Sequence, residues 1–204
     1  MAITFLAKIK EKIKETKNQK TIDKWYKNGC PVPTPHIIKQ LAIQHYQQIS
    51  GYNILVETGT FRGEMVEAQL NYFKQIFSIE LSEKLWQSAD NKFRSNNHVS
   101  ILFGDSGKVL KDVMTQLDAP AIFWLDGHYS AGETAKGETE CPIYEEIDAI
   151  FSDKRFNHIL LVDDARCFNG TGDYPSVENL TKHIQSKDPY YKLEVKDDII
   201  RYTK

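Results

Sequence analysis

The chain has 204 residues, with 26 Lys and Arg against 28 Asp and Glu and a formal net charge of -2. That length suits about one domain, and that balance lacks the basic excess by which nucleic-acid partners are met. Hydrophobic residues make up 41%, enough for a core, but no run approaches the roughly 18 apolar residues of a membrane span and no signal-peptide pattern opens the chain. Neither a nucleic-acid partner nor stable membrane anchoring is therefore expected. Cys30, Cys141 and Cys167 are widely spaced and odd in number, which argues against a disulfide framework and predicts a reducing cytoplasm.

The first segment, residues 1–29, is rich in lysine, and Leu6, Ile9 and Ile13 recur at helical spacing. It predicts a basic amphipathic helix lying on the domain surface or against a second copy of the chain, a route to homo-oligomers. Pro31, Pro33 and Pro35 then hold the chain extended. A second amphipathic helix is expected over residues 36–49, from Ile37, Ile38, Leu41, Ile43, Tyr46 and Ile49. Residues 1–50 thus read as a helical extension and residues 51–204 as an α/β domain.

From residue 53 onward short apolar runs alternate with helical patterns. Strands are expected at 53–57, 76–80, 99–103, 121–126 and 159–163, and helices at 63–75, 82–94, 106–116, 142–152 and 176–186. Repeated βα units predict a parallel sheet wound on both faces. The ending differs: the runs 190–195 and 199–202 are separated only by Lys196, Asp197 and Asp198, too short for a crossover, so they form an antiparallel hairpin.

The stretch Glu57-Thr58-Gly59-Thr60-Phe61-Arg62-Gly63 reads as a strand end, a tight loop and a helix start. Glycine at Gly59 suits the sharp turn, and at Gly63 it suits a close approach of the helix N-terminus to whatever lies over the strand. A second acid, Glu80, ends the next strand, about 20 residues on, where α/β folds hold a ribose. A dinucleotide is disfavoured, because the loop lacks the Gly-x-Gly-x-x-Gly spacing and Glu57 would face the pyrophosphate. S-adenosylmethionine (SAM) has no phosphate and carries an ammonium and a sulfonium, which suit carboxylates at strand ends. Helix capping and solvated strand ends are the plainer roles for Glu80 and Asp105.

The order of these features resembles the class I SAM-dependent methyltransferases, a doubly wound Rossmann-like sheet of five parallel strands closed by an antiparallel hairpin. The resemblance implies SAM as cofactor. It casts the loop of Glu57, Gly59, Thr60 and Gly63 as the first cofactor motif, Glu80 as acceptor from the ribose hydroxyls, and Asp105 with Ser106 near the adenine.

Further on, Asp126 and the pair Asp163 and Asp164 follow all-apolar strands, bringing three carboxylates to one end of the sheet. Crowded acids repel unless a cation lies among them or some stay protonated, and such oxygen ligands suit Mg²⁺ or another hard divalent ion. The alternative is that one acid caps a helix while another faces water. Asp126-Gly127-His128-Tyr129 followed by the acid pair resembles the metal-dependent O-methyltransferases that modify sugars of macrolide and aminocoumarin antibiotics. That resemblance implies a small-molecule acceptor such as a glycosylated metabolite, and it casts His128, where those enzymes commonly carry Asp, as the general base. The long polar loop beginning at Tyr129 is expected to act as a substrate lid, with Lys136 and Arg166 facing an anionic group or lying as surface charges. The competing functional class is a non-catalytic nucleoside-binding or protein-interaction module on the same fold, which would have no need of the carboxylate cluster.

Overall fold

The computed structural model describes residues 2–127 and 141–204, residues 2–14 by their backbone alone. Two helices come first, α1 (Ala2–Lys27) and α2 (His36–Ser50). Strands and helices then alternate: β1 (Ile54–Thr58), α3 (Glu64–Gln69), β2 (Gln75–Glu80), α4 (Glu83–Phe93), β3 (Val99–Phe103), α5 (Ser106–Gln116), β4 (Ala121–Leu125), α6 (Ile143–Ile150) and β5 (Ile159–Val162). A single 3-10 turn at Ala165–Cys167, helix α7 (Val177–Lys187), and strands β6 (Lys192–Lys196) and β7 (Ile199–Thr203) complete the chain. Among the described residues no helix is long and apolar enough to cross a membrane.

One sheet holds all seven strands in the order β3-β2-β1-β4-β5-β7-β6. β1 to β5 are parallel, and β7 runs antiparallel between β5 and β6. The doubly wound sheet with a terminal hairpin, expected from the alternation of elements, is what forms. The reversal of strand order beside β1 and β4 opens a crevice at their carboxyl ends, where ligands of open α/β sheets bind.

Side-chain parity divides the core in two. Ile54 and Val56 join Phe77, Ile79, Phe123, Leu125, Leu160 and Val162 in a cluster with Leu110 of α5, Ile147 of α6 and Leu180 of α7. Leu55 of β1, Ile76 of β2, Trp124 of β4 and Leu161 of β5 face the other way, onto Ile43 of α2, Val66 of α3 and Phe93 of α4. Period two along each strand alone accounts for this division. Helix α2 is therefore packed on the sheet: Ile43 is fully buried, and Gln69 Nε2 of α3 donates to the Gln40 carbonyl at 3.2 Å.

One helix is shorter than its pattern. α3 ends at Gln69, well before residue 75, because the chain must turn back before β2 can pair in register with β1. The Tyr72 amide closes that turn on the Gln69 carbonyl at 2.9 Å, and the Lys74 amide reaches the Asn53 carbonyl at 2.8 Å.

Candidate active site at the carboxyl ends of the strands

The loop after β1 is built by its own amides. Gly59 N donates to the Ile79 carbonyl at 2.9 Å, Thr60 N to the same oxygen at 3.2 Å, and Gly63 N to the Thr60 carbonyl at 2.8 Å. Phe61 N donates to Glu80 Oε2 at 2.7 Å. Four amides of this loop are thus spent inside the chain and are not free to bind a pyrophosphate.

Both loop glycines have left-handed backbones, φ +83° at Gly59 and +68° at Gly63. The neighbours that require them differ from expectation. A Cβ at Gly59 would lie 2.4 Å from the Asp126 carbonyl oxygen, and one at Gly63 would lie 2.5 Å from the Phe93 ring. Close packing of the loop on β4 and α4 demands these glycines, independently of any ligand.

Glu80 ends β2 with 5% of its surface exposed. Its Oε1 accepts from Ser82 N at 2.8 Å while Oε2 takes the Phe61 amide. A carboxylate offers about four lone-pair sites, so each oxygen keeps acceptor capacity after these bonds.

Glu57 lies beneath the loop, on the α2 side of the sheet, and is buried. Ser78, its register partner on β2, donates to Glu57 Oε2 and shares a 2.6 Å hydrogen bond with Thr60 Oγ1. Burial pushes the Glu57 carboxyl up to about 8, the Ser78 hydroxyl opposing and the Glu80 charge adding to the rise. Sequence reasoning missed Ser78, although a lone hydroxyl inside the apolar run Ile76-Phe77-Ser78-Ile79 was the available signal.

Asp105 caps α5, its Oδ1 accepting from Gly107 N at 3.0 Å, and its Oδ2 lies 3.4 Å from Lys108 Nζ. Ser106, beside it, turns its hydroxyl inward to donate to Glu146 Oε1 at 2.6 Å. Glu146 was also missed. It is buried on α6, between Ile143 and Ile150 on the same helical face, and such a position is readable from the i, i+3, i+7 spacing.

The three aspartates do come together, and the cation among them is a lysine. Asp163, fully buried after β5, accepts from Lys39 Nζ of α2 at 2.6 Å, and Asp164 Oδ1 accepts from the same nitrogen at 3.1 Å. Asp126 is close enough for its charge to help hold Lys39 protonated. Burial alone would lower the Lys39 pKa, but the charge and hydrogen bond of Asp163 together with the charges of Asp164 and Asp126 outweigh it, and the net direction is upward. Burial, followed by the Asp163 charge, raises the Asp126 carboxyl well above the usual range. Arg166 does not reach outward: its Nη1 lies 2.7 Å from Asp164 Oδ1 and also pairs with Asp198 of the β6–β7 turn.

Among the described residues no group of three or more His, Cys, Asp or Glu is arranged to hold a metal ion. The donors expected for a divalent ion, Asp126, Asp163 and Asp164, do not fit one here, because Lys39 already occupies two of their oxygens. His128, the expected base, lies outside the described residues, as do Lys136 and the polar loop beginning at Tyr129. The side chains of Leu6, Ile9 and Ile13 also lie outside them.

No protein-family model matches the chain, and no curated protein matches it in sequence. Solved structures do match. The O-methyltransferase from Bacillus cereus in complex with S-adenosylhomocysteine (SAH) is 14% identical with a TM-score of 0.61, over 93% of this chain and 91% of that one. SAH-bound methyltransferase PaMTH1 of Podospora anserina is 13% identical with a TM-score of 0.56, over 90% of this chain and 86% of that one. TomG of Streptomyces achromogenes, an O-methyltransferase involved in tomaymycin synthesis and solved with SAM, is 13% identical with a TM-score of 0.53, over 91% of this chain and 86% of that one. At these identities the likeness shows the fold, that of the class I SAM-dependent methyltransferases.

Proposed function

We propose that the chain is a SAM-dependent methyltransferase acting on a small-molecule nucleophile, a hydroxyl being the favoured acceptor. The observation that carries this reading is Glu80: a carboxylate at the end of β2, clamped by two backbone amides, with acceptor capacity left on each oxygen. A ribose with two adjacent hydroxyls matches that capacity. The spent amides of the Gly59 loop favour a cofactor without phosphates, and the fold neighbours that carry SAM or SAH point the same way.

In this reading Glu80 holds the ribose, Asp105 and the start of α5 line the adenine end, and the loop from Gly59 to Gly63 forms the floor. Glu57 lies below the loop and acts on it through Ser78 and Thr60. When bound, SAM supplies an electrophilic methyl on a sulfonium. The chain's part is to hold the acceptor in line with that methyl and to take its proton. His128, two residues beyond Asp126, is the proposed acceptor of the proton. No step is assigned to a divalent ion, because Lys39 stands among its expected ligands. A cytoplasmic location accords with this function.

Calorimetric titration with SAM and SAH tests the proposal. Saturable binding of one molecule per chain, weakened about 10- to 150-fold in Glu80→Ala, is the expected result. Absence of binding by both compounds would overturn it.

A further inference from the structure

A fully buried carboxylate such as Asp163 is strongly disfavoured as an ion unless a partner lies against it. In metal sites built from strand-end acids the partner is the ion. Here it is Lys39, whose Nζ sits 2.6 Å from Asp163 Oδ2 and 3.1 Å from Asp164 Oδ1, the lysine side chain being 14% exposed. The position of that nitrogen follows from packing. Ile38, Ala42 and Ile43 of α2 are buried around Lys39 in sequence, and Ala42 and Ile43 belong to the same core cluster as Trp124 and Leu161, the strand residues two before Asp126 and Asp163. On the far side Arg166 bridges Asp164 and Asp198, so cations and carboxylates alternate from α2 to the β6–β7 turn.

A divalent ion shared by Asp126, Asp163 and Asp164 would need their oxygens at about 2.0–2.6 Å. Lys39 Nζ already lies against two of these side chains and would repel a second cation at that distance. We propose that Lys39 is the resident cation of this site: helix α2 supplies, as a side chain, the positive charge that the acid cluster requires, and divalent ions are thereby excluded. Lys39 is a positioning residue in this role, fixing Asp163 and Asp164. The proposal stands on the geometry of the cluster and does not depend on the methyl-transfer reading.

The test is titration of the full chain with Mn²⁺, read by calorimetry and by the electron paramagnetic resonance signal of free Mn²⁺. Wild type should show no saturable binding at millimolar Mn²⁺. Lys39→Met keeps most of the apolar stem and removes the charge; it should bind one Mn²⁺ at least tenfold more tightly, and adding Asp163→Asn should abolish that binding. A folded Lys39→Met that binds Mn²⁺ no better than wild type would overturn the proposal. Wild type alone also decides it, should the variant fail to fold: one Mn²⁺ bound by wild type and lost in Asp163→Asn means that Lys39 yields to the metal. SAM affinity measured on the same samples separates this result from the fate of the methyltransferase proposal.

Discussion

Gly59 and Asp126 touch through backbone: a Cβ on Gly59 would fall 2.4 Å from the Asp126 carbonyl oxygen and 2.9 Å from its carbonyl carbon. The loop after β1 and the acid-bearing loop after β4 therefore pack directly on one another, and a shift of one presses on the other. Gly59→Ala is predicted to lose the roughly 1–2 kcal/mol of a left-handed non-glycine residue and further stability from displaced backbone. Urea unfolding should show a clearly lower midpoint, measurable without ligand. A midpoint equal to wild type would show that the loop tolerates a Cβ.

Gly63 differs because its obstacle is a ring. The Phe93 side chain lies 2.5 Å from the ideal Cβ, and a smaller residue there can give way. Gly63→Ala should be destabilised, and the double variant Gly63→Ala, Phe93→Leu should lose less than the sum of the two single changes. Strict additivity in that cycle would remove the steric explanation.

Glu80→Ala deletes the proposed ribose acceptor and strands the amides of Phe61 and Ser82. SAM affinity should fall by roughly 1.5–3 kcal/mol, about 10- to 150-fold, the scale of hydrogen bonds to a charged group. Circular dichroism should report a retained fold. Unchanged affinity in a folded variant would move the ribose elsewhere.

The sheet was legible because the parallel strands are short runs rich in apolar residues, each with a turn after it, and because the three-residue link at Lys196, Asp197 and Asp198 allows only a hairpin, even though β6 itself is exposed and charged. The convergence of Asp126, Asp163 and Asp164 was legible for the same reason, since strand ends share one edge. Lys39 was not, because which helix covers a sheet face is decided by three-dimensional packing, and nothing near Lys39 in the chain hints at an acid. The role of Asp105 was half legible: Asp before a helix reads equally as cap or ligand, and its cap bond to Gly107 is present. Gly63 shows a further limit, because a pattern indicates close approach without naming the neighbour, here Phe93.

Glu57 makes stability fall as pH rises. Its ordinary pKa is 4.5 and burial pushes it up to about 8 in the folded chain, so between those values the folded state holds a proton that the unfolded state releases. Its contribution is complete below pH 4.5 and is lost as pH climbs through 8. His158 acts in the opposite sense: burial lowers it from 6.5 to about 4, so its contribution is complete above pH 6.5 and is lost as pH falls through 4. From pH 6.5 to 8, therefore, Glu57 is the member of this pair that still distinguishes folded from unfolded chain. Asp126, raised by burial and by Asp163, adds a slope of the same sign as Glu57. Through Glu57, stability of the wild type should drop across that window by up to about 1.4 kcal/mol per pH unit. Glu57→Gln keeps an acceptor for Ser78 but carries no charge, so its slope should be shallower. Ser78→Ala removes a hydrogen bond that favours the Glu57 anion, and should extend the decline to higher pH. Urea midpoints of the three proteins at half-unit steps from pH 6 to 9 measure both effects, and an identical slope in Glu57→Gln would assign the pH dependence to other groups.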